Sequence, residues 1–496
     1  MFLRSQHPLN SLARLSVLGA AALLAACSTT PVGPNYSLPA EAVASQTAAG
    51  APFGGVAASA GSDAADAASA RPYTPLALPA HWWRLYSDTT LDTLVQQALA
   101  HNTDLRQAVA NLERVQAIEA EVAGAAKPTI GIGGGPSFGH VSGLSVLKPG
   151  YEPPDAFHYS VAGSVSYTVD LFGQIRRASE AAAAGSEAAA AALDLARVSV
   201  AAGTTRAYAE VCSSGLRLQS ARKSVDLQRE AVDVSQRLQQ AGRAGTIDLA
   251  RAKSQLQQLL AAVPPLQAQR QSAVYRLATL TGQLPQADMA AVTGCTTPPQ
   301  VAGALPVGDG AALLRRRPDI RQAERELAAA TARIGVAMAD RYPKVTFGLS
   351  AGSAGLGSGF GARDTLSWSL GPLISWTLPN TGAVDARVAQ SEAGTRLALA
   401  KFDGTVLTAL RETESALSAY AHELDRRAAL QSSRDEAEVV TAQSRRLYEG
   451  GKVGYVDALD AERSLATSEA ALAASDAQLA DDQVLLFLAL GGGWEP

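Results

Sequence analysis

The sequence predicts a membrane protein of mixed α+β class in which strands cross the bilayer, long coiled helices do not, and the whole plan is written twice. Three observations carry this. Residues 157–173, FHYSVAGSVSYTVDLFG, put Phe157, Tyr159, Val161, Val165, Tyr167 and Val169 on one side of a strand and small or polar residues on the other. After the N-terminal segment no apolar run reaches the roughly 18 residues that a spanning helix needs. The chain also repeats itself at two fixed offsets, 215 and 209 residues.

The first 26 residues carry Arg4 and Arg14 and then LSVLGAAALLAA, a stretch too short to span as a helix and suited to an export signal. It ends in Leu24-Ala25-Ala26-Cys27, which resembles the bacterial lipoprotein processing box. That resemblance implies cleavage after residue 26 and lipid on Cys27, and Ser28 in place of an inner-membrane retention Asp implies outward sorting. Residues 27–80 are rich in Ala, Pro, Gly and Ser without periodicity and read as an irregular, lipidated tether. With a formal charge of -4 the chain of 496 residues has no electrostatic footprint for nucleic acid.

Residues 81–300 form the first repeat and 301–496 the second. Asn102-Thr103-Asp104-Leu105-Arg106-Gln107-Ala108 is echoed by Arg317-Pro318-Asp319-Ile320-Arg321-Gln322-Ala323, and Pro128 by Pro343, at an offset of 215. Gly173, Gly242, Gly245, Asp248 and Gly282 match Gly382, Gly451, Gly454, Asp457 and Gly491 at an offset of 209. Six residues are therefore missing from the second copy, between Pro343 and Gly382, where strands and loops tolerate deletion. Each copy reads as a short helix, a proline, two strands, a very long helix, a Gly-marked turn and a returning helix.

In the second copy VTFGLSAG from Val345 alternates as the first strand does. LSWSLGPLISWTL from Leu366 puts Leu366, Trp368, Leu370, Ile374, Trp376 and Leu378 on one side, with Leu373 the one large apolar residue on its small side. An apolar, aromatic-bearing face opposite a small, polar one is what a transmembrane β-barrel requires. Trp368 and Trp376 suit the aromatic girdles at the membrane borders. Four strands per chain cannot enclose a pore, and an open edge in lipid leaves backbone groups unsatisfied, so closure needs other subunits. Three chains supply twelve strands.

The long helix over 174–241 would reach roughly 100 Å at 1.5 Å per residue. Val211, Leu218, Val225 and Val232 recur every seventh residue as a coiled-coil seam, and Leu227 and Val234 mark a second flank about 200° round the helix. Seams on two nearly opposite flanks suit a stave in a cylinder. The two short helices of a copy sum to nearly the length of the long one, so they can stack end to end beside it. Membrane strands continued by such helices describe a tunnel.

HWWRLYSD at 81–88, NTDLRQA, VDLFGQIRRA, LTGQLP at 280–285 and above all LLRRRPDIRQAE at 313–324 resemble the TolC-like outer membrane factors, in their OprM and NodT lipoprotein branch. The resemblance runs from about residue 75 to 490. It implies the outer membrane factor fold: a homotrimer forming a 12-stranded β-barrel in the outer membrane, continued by an α-helical barrel tunnel in the periplasm. It also implies docking onto a periplasmic membrane-fusion adaptor and an inner-membrane pump of RND type, and expulsion of drugs or other small toxic compounds. A type I protein-secretion conduit is the competing cargo, and a structural lipoprotein with helical staves a third reading.

The hairpin turns, residues 240–245 and 448–454, are read as the periplasmic mouth. Asp457 and Asp460 share a helix face at i and i+3, and three chains would gather six carboxylates there, a ring that needs cations or basic side chains to hold it. The family's closing network, a tyrosine, a basic residue and aspartates, maps onto Tyr448, Asp457 and Asp460, while Val453 stands where the basic residue is expected and Lys452 one place earlier. Arg243, Asp248 and Arg251 of the first hairpin are candidates to complete it. A simpler role for Asp248 and Asp457, at the positive end of a helix, stays open beside the gate.

Cys212 and Cys295 sit in a compartment that permits disulfides, and pairing or two separate thiols are both open. The run Arg315-Arg316-Arg317, which precedes Pro318 and a helix, reads either as a maker of structural salt bridges or as a solvated face, the second being preferred. No cofactor is called for beyond the lipid. Gly135-Pro136-Ser137-Phe138-Gly139 fits the nucleophile-elbow pattern but leads into no helix, and the six histidines show no metal-ligand spacing, so an enzyme lacks its parts.

Overall fold

The computed structural model describes residues 30–56, 72–143, 149–242, 245–286, 289–376 and 381–492. The signal segment, Cys27 and Arg243 lie outside them. The elements run β1 (Tyr73–Thr74), α1 (Thr89–His101), α2 (Thr103–Gly124), β2 (Thr129–Gly139), β3 (Ala156–Val169), α3 (Gln174–Gln240), α4 (Thr246–Leu280) and α5 (Ala290–Thr293). They continue with β4 (Leu305–Pro306), α6 (Gly310–Arg316), α7 (Pro318–Ala339), β5 (Lys344–Leu356), β6 (Leu366–Ser375), α8 (Thr381–Glu449) and α9 (Tyr455–Ala489). The expected order is thus present in both copies, with long helices of 67 and 69 residues and returning helices of 35 each. Two compact units cut across the repeats. One holds Glu113–Ala188 and Glu324–Ala400 with the described residues up to Ser37; the other holds Leu38–Leu112, Ala189–Ala323 and Lys401–Pro496.

The first unit is built on one antiparallel sheet of order β2-β3-β5-β6, with β2 and β6 at its edges. Register keeps the faces separate from strand to strand: Ile130 pairs with Val165, Val165 with Leu349 and Leu349 with Leu370 on one face, while Gly131, Ser164, Ser350 and Ser369 line up on the other. Ile130, Ile132, Leu370 and Trp368 are 77%, 84%, 69% and 77% exposed. A soluble sheet would bury such a face; here it is the outside of the unit. Hydroxyls link the opposite face, Thr129 to Ser166 at 2.7 Å and Ser350 to Ser369 at 2.8 Å.

The DLFG motif starts α3. Asp170 accepts hydrogen bonds from the N–H groups of Ile175 (3.1 Å) and Arg176 (2.9 Å), satisfying donors of the first turn. Arg177, only 3% exposed, then reaches the N-terminal arm: it donates to the carbonyls of Val32 and Gly33, both at 3.1 Å, and to Asn35 Oδ1 at 2.7 Å, with Glu180 as its counter-ion. The arm is neither irregular throughout nor loose: its described residues include 3-10 turns at Val43–Ser45 and Thr47–Gly50 and the strand β1, which pairs in parallel with β4. In the second unit Val43 N–H donates to Asp403, the Gly54 and Gly55 N–H groups donate to Glu414, and Phe53 is buried. The sequence shows only its composition, whereas these partners lie some 360 residues away.

The second unit is helical. Trp82 and Trp83 of the HWWRLY stretch are fully buried, Trp82 against Phe487 of α9 (centroids 4.8 Å apart) and Trp83 donating to Asp92 of α1. The predicted seam is real: Val211, Leu218 and Val225 are 0%, 4% and 3% exposed. Three residues on, Ser214, Gln228 and Ser235 are buried too, a polar continuation of the seam that apolar periodicity does not reveal.

End-to-end stacking occurs in both copies. Asn102 caps α2 through Oδ1, accepting from the N–H groups of Asp104 and Leu105, and its Nδ2 donates to Leu280 O at the end of α4. Arg317, at the equivalent place before α7, donates to Ala489 O at the end of α9 (2.9 Å). The turn after each returning helix needs positive φ, +72° at Gly282 and +69° at Gly491, and a Cβ at Gly282 would lie 2.6 Å from His101 O.

Candidate functional site

Both hairpin turns close through a glycine at positive φ, Gly242 and Gly451, and restart through an extended glycine, Gly245 and Gly454. In the second turn the N–H of Lys452 donates to Leu447 O (2.8 Å), and Lys452 itself is exposed. Asp457 accepts from the Gly454 N–H at 3.2 Å, so one of its oxygens serves the helix start and the carboxylate stays exposed. Asp460 is exposed as well and faces Arg463 at 3.7 Å, a partner one turn along that the sequence reading did not single out. In the first hairpin Asp248 faces Arg251 at 3.8 Å. Within one chain, then, Arg251 meets the aspartate of its own helix rather than Asp457 or Asp460.

Tyr448 packs edge-on against Tyr455, 5.5 Å between centroids. Tyr455, the first residue of α9, is 8% exposed and sits with Leu459 on Ala252 of α4, against Val232 of α3. Burial raises the Tyr448 hydroxyl above its usual pKa, and Tyr455, Asp248 and Glu462 add to the effect. Burial does the same at Tyr455, opposed by Ser235 and Gln228 beside it. The tyrosine of the predicted network therefore packs within its own hairpin on Tyr455, the residue through which this cluster meets the first hairpin, and Asp248 is a charged neighbour.

Further along, the hairpins are tied by Arg445 to Glu230 (3.3 Å), Arg463 to Gln255 (2.9 Å) and Lys223 to Glu469 (3.1 Å). Glu462 lines a small cavity there with Gln228, Gln255, Thr441 and Arg445. Its carboxyl is raised by burial, lowered in part by Arg445 and raised again by Glu230. Sequence reasoning missed Tyr455 and Glu462. The available signal was an aromatic directly after the turn glycine, where turns ordinarily place polar residues.

Cys212 and Cys295 are joined, with Cα atoms 4.7 Å apart, fastening the segment after α4 onto α3. Gly215, one turn along, allows the approach: a Cβ there would stand 2.1 Å from Cys295 O. The basic run divides. Arg315 is exposed, as a solvated face requires, whereas Arg317 is 8% exposed and held by Asp319 (2.7 Å) and Glu412 (3.1 Å), so at Arg317 the structural salt bridges are the reading that holds. A run of three arginines does not tell which one turns inward; Glu412 lies 95 residues away.

A sheet with an outward apolar face and two free edges, joined in one duplicated chain to paired helical hairpins, defines an outer-membrane channel protein. The chain belongs to the outer membrane efflux protein family, whose model matches residues 94–283 and 311–492. It is 31% identical over 417 residues to nodulation protein T of Rhizobium leguminosarum bv. viciae, covering 83% of this chain and 84% of that protein. It is 30% identical over 504 residues to the pyoverdine export outer membrane protein OpmQ of Pseudomonas aeruginosa, covering 98% of each. Among solved structures the outer-membrane channel OprN aligns with a TM-score of 0.84 and 34% identity over 94% of this chain and all of that one. The family resemblance drawn from HWWRLYSD and RRPDIRQAE is borne out, and with it an outer-membrane efflux channel of the outer membrane factor fold.

Proposed function

We propose that three copies of this chain form a tunnel that passively conducts small toxic compounds out of the cell, working with a periplasmic adaptor and an inner-membrane pump of RND type. The observation that carries this is the four-stranded sheet with its exposed apolar face and two edges, β2 and β6. Because the strands alternate in direction and are even in number, β6 of one copy meets β2 of the next as an antiparallel pair, and the inward faces stay in phase. Every edge is then satisfied, as lipid demands. Trp368 and Trp376, eight residues apart on the apolar face, would stand about 27 Å apart along a strand, close to the height of a barrel's apolar band.

Cargo is proposed from chemistry and from relatives. OpmQ exports pyoverdine, and TtgI of Pseudomonas putida, 27% identical over 95% of this chain, serves a toluene efflux pump. Both are small molecules, which favours efflux over protein secretion. The chain conducts and catalyses nothing. Cys27 carries lipid, anchoring the arm that Arg177 holds. The hairpin turns form the periplasmic gate, with Tyr448, Asp457 and Asp460 near its lumen and Lys452, Asp248 and Arg251 around them.

The test is the mass of the detergent-extracted protein and its conductance in a planar bilayer. A trimer of about 150 kDa with small, cation-preferring conductance is expected, three chains of 51.1 kDa each. A non-conducting monomer would overturn the tunnel. Replacing Asp457 and Asp460 together with Ala should raise single-channel conductance; an unchanged value removes them from the gate.

A further inference from the structure

We infer that Leu373 is an apolar foothold for cargo inside the barrel, a specificity-determining residue that favours compounds with an apolar part. The small face of the sheet is almost wholly Gly, Ala, Ser and Thr, and it is the face that turns inward once the apolar one meets lipid. Leu373 interrupts it. Register places Leu373 opposite Thr346, and Thr346 opposite Thr168, with no bulge from Lys344↔Ser375 to Ser353↔Leu366 that could rotate it to the other side. Along its own strand the same-face neighbours are Gly371 and Ser375, so among the described residues nothing covers it and it is 68% exposed.

Closing the barrel does not cover it either. The strand that would meet β6 is β2 of the next copy, whose small face reads Thr129, Gly131, Gly133, Gly135, Ser137. A leucine left standing in a water-filled, glycine-and-serine wall gains nothing from folding, since its apolar surface is not removed from water until something apolar passes. The other large apolar residue of this face, Leu356, ends β5 opposite His158. Leu373 instead lies two residues, about 7 Å, from the helix-side end of its strand. By symmetry three such side chains would ring the entrance from the helical section into the barrel. The nearest charge on this face is Lys344, 3.3 Å from Asp340, a carboxylate that Arg387 shares at 3.5 Å, so the apolar preference is read between cargo of equal charge.

This rests on the trimeric conduit proposed above, and the test separates the two. Full-length protein and its Leu373→Asn and Leu373→Phe variants are placed in planar bilayers and blocked with tetrabutylammonium or tetramethylammonium, which share a charge and differ in apolar surface. Asn keeps the branched skeleton and heavy-atom count of Leu, so it removes the apolar character with less loss of bulk than Ala would cause. Tetrabutylammonium should bind roughly fivefold more weakly to Leu373→Asn than to the wild type and more strongly to Leu373→Phe, with tetramethylammonium unaffected. Channels that conduct but show equal block in all three, or block weakened as much by Phe as by Asn, overturn the foothold and leave the conduit standing. A wild type that conducts no current overturns both.

Discussion

The two repeats share a geometry and differ in the chemistry that holds it. In each, a short helix and a returning helix meet end to end at a residue that bonds the last carbonyls of the other helix. In the first copy that residue is Asn102, a neutral side chain that caps α2 and reaches Leu280 O. In the second it is Arg317, a buried cation tied to Asp319, Glu412 and Ala489 O. The base of the first hairpin carries the Cys212–Cys295 bond, and the second copy has Ala421 where the offset of 209 would place Cys212. Duplication has therefore kept the places where backbone must be satisfied and left the side chains that satisfy them free to diverge.

The disulfide is the largest of these differences. It closes a loop of sequence separation 83 that contains the whole turn of the first hairpin, and by loop-closure entropy it contributes about 4 kcal/mol. Replacing Cys212 and Cys295 by Ser should lower the unfolding midpoint of the detergent-extracted protein accordingly, and alkylation without reductant should leave both cysteines unlabelled in the wild type. Labelling of both would remove the staple and with it this contrast between the copies.

Next come the two junction residues. Arg317→Ala strands Asp319 and Glu412 and frees a buried carbonyl; because Glu412 is 40% exposed, water meets part of the loss, and about 3 kcal/mol is expected. Asn102→Ala removes a neutral cap and one bond to Leu280 O, for about 1 kcal/mol. Chemical denaturation of both variants sets the ratio. Equal costs would mean that the buried charge adds nothing to the junction beyond what a cap supplies.

These differences also mark what could be read from residues alone. Strand alternation, the offsets and the seam at Val211, Leu218 and Val225 are periodic, and a period is visible without a fold. The departure at Leu373 from the alternation of its own strand is visible for the same reason. Arg317 and Arg315 look alike in sequence because burial is decided by Asp319, Glu412 and the end of α9, which only folding brings near. Gln228 and Ser235 escaped because they fill a seam with polar atoms, and Tyr455 because its partner Ala252 belongs to the other hairpin. The arm after residue 29 reads as a linker for want of periodicity; its backbone, through Val43, Gly54 and Gly55, makes the contacts.

Glu462 offers the finest contrast between the hairpins, since the first contributes Glu230 and Gln255 to its surroundings and the second Arg445 and Arg463. Burial holds its proton more tightly in the folded chain than in the unfolded one. The folded state therefore binds more protons across the interval above the ordinary carboxylate pKa, and stability falls as pH rises through it. Acidification restores it, the reverse of a carboxylate whose folded pKa is depressed. Glu462→Gln, neutral throughout, should show a flatter unfolding midpoint than the wild type as pH rises above the ordinary carboxylate range, with the smallest effect of the series. Arg445→Gln should act in the opposite direction, raising the Glu462 pKa further and steepening the same profile. If both variants keep the wild-type slope, the titration that governs this contact lies elsewhere than at Glu462.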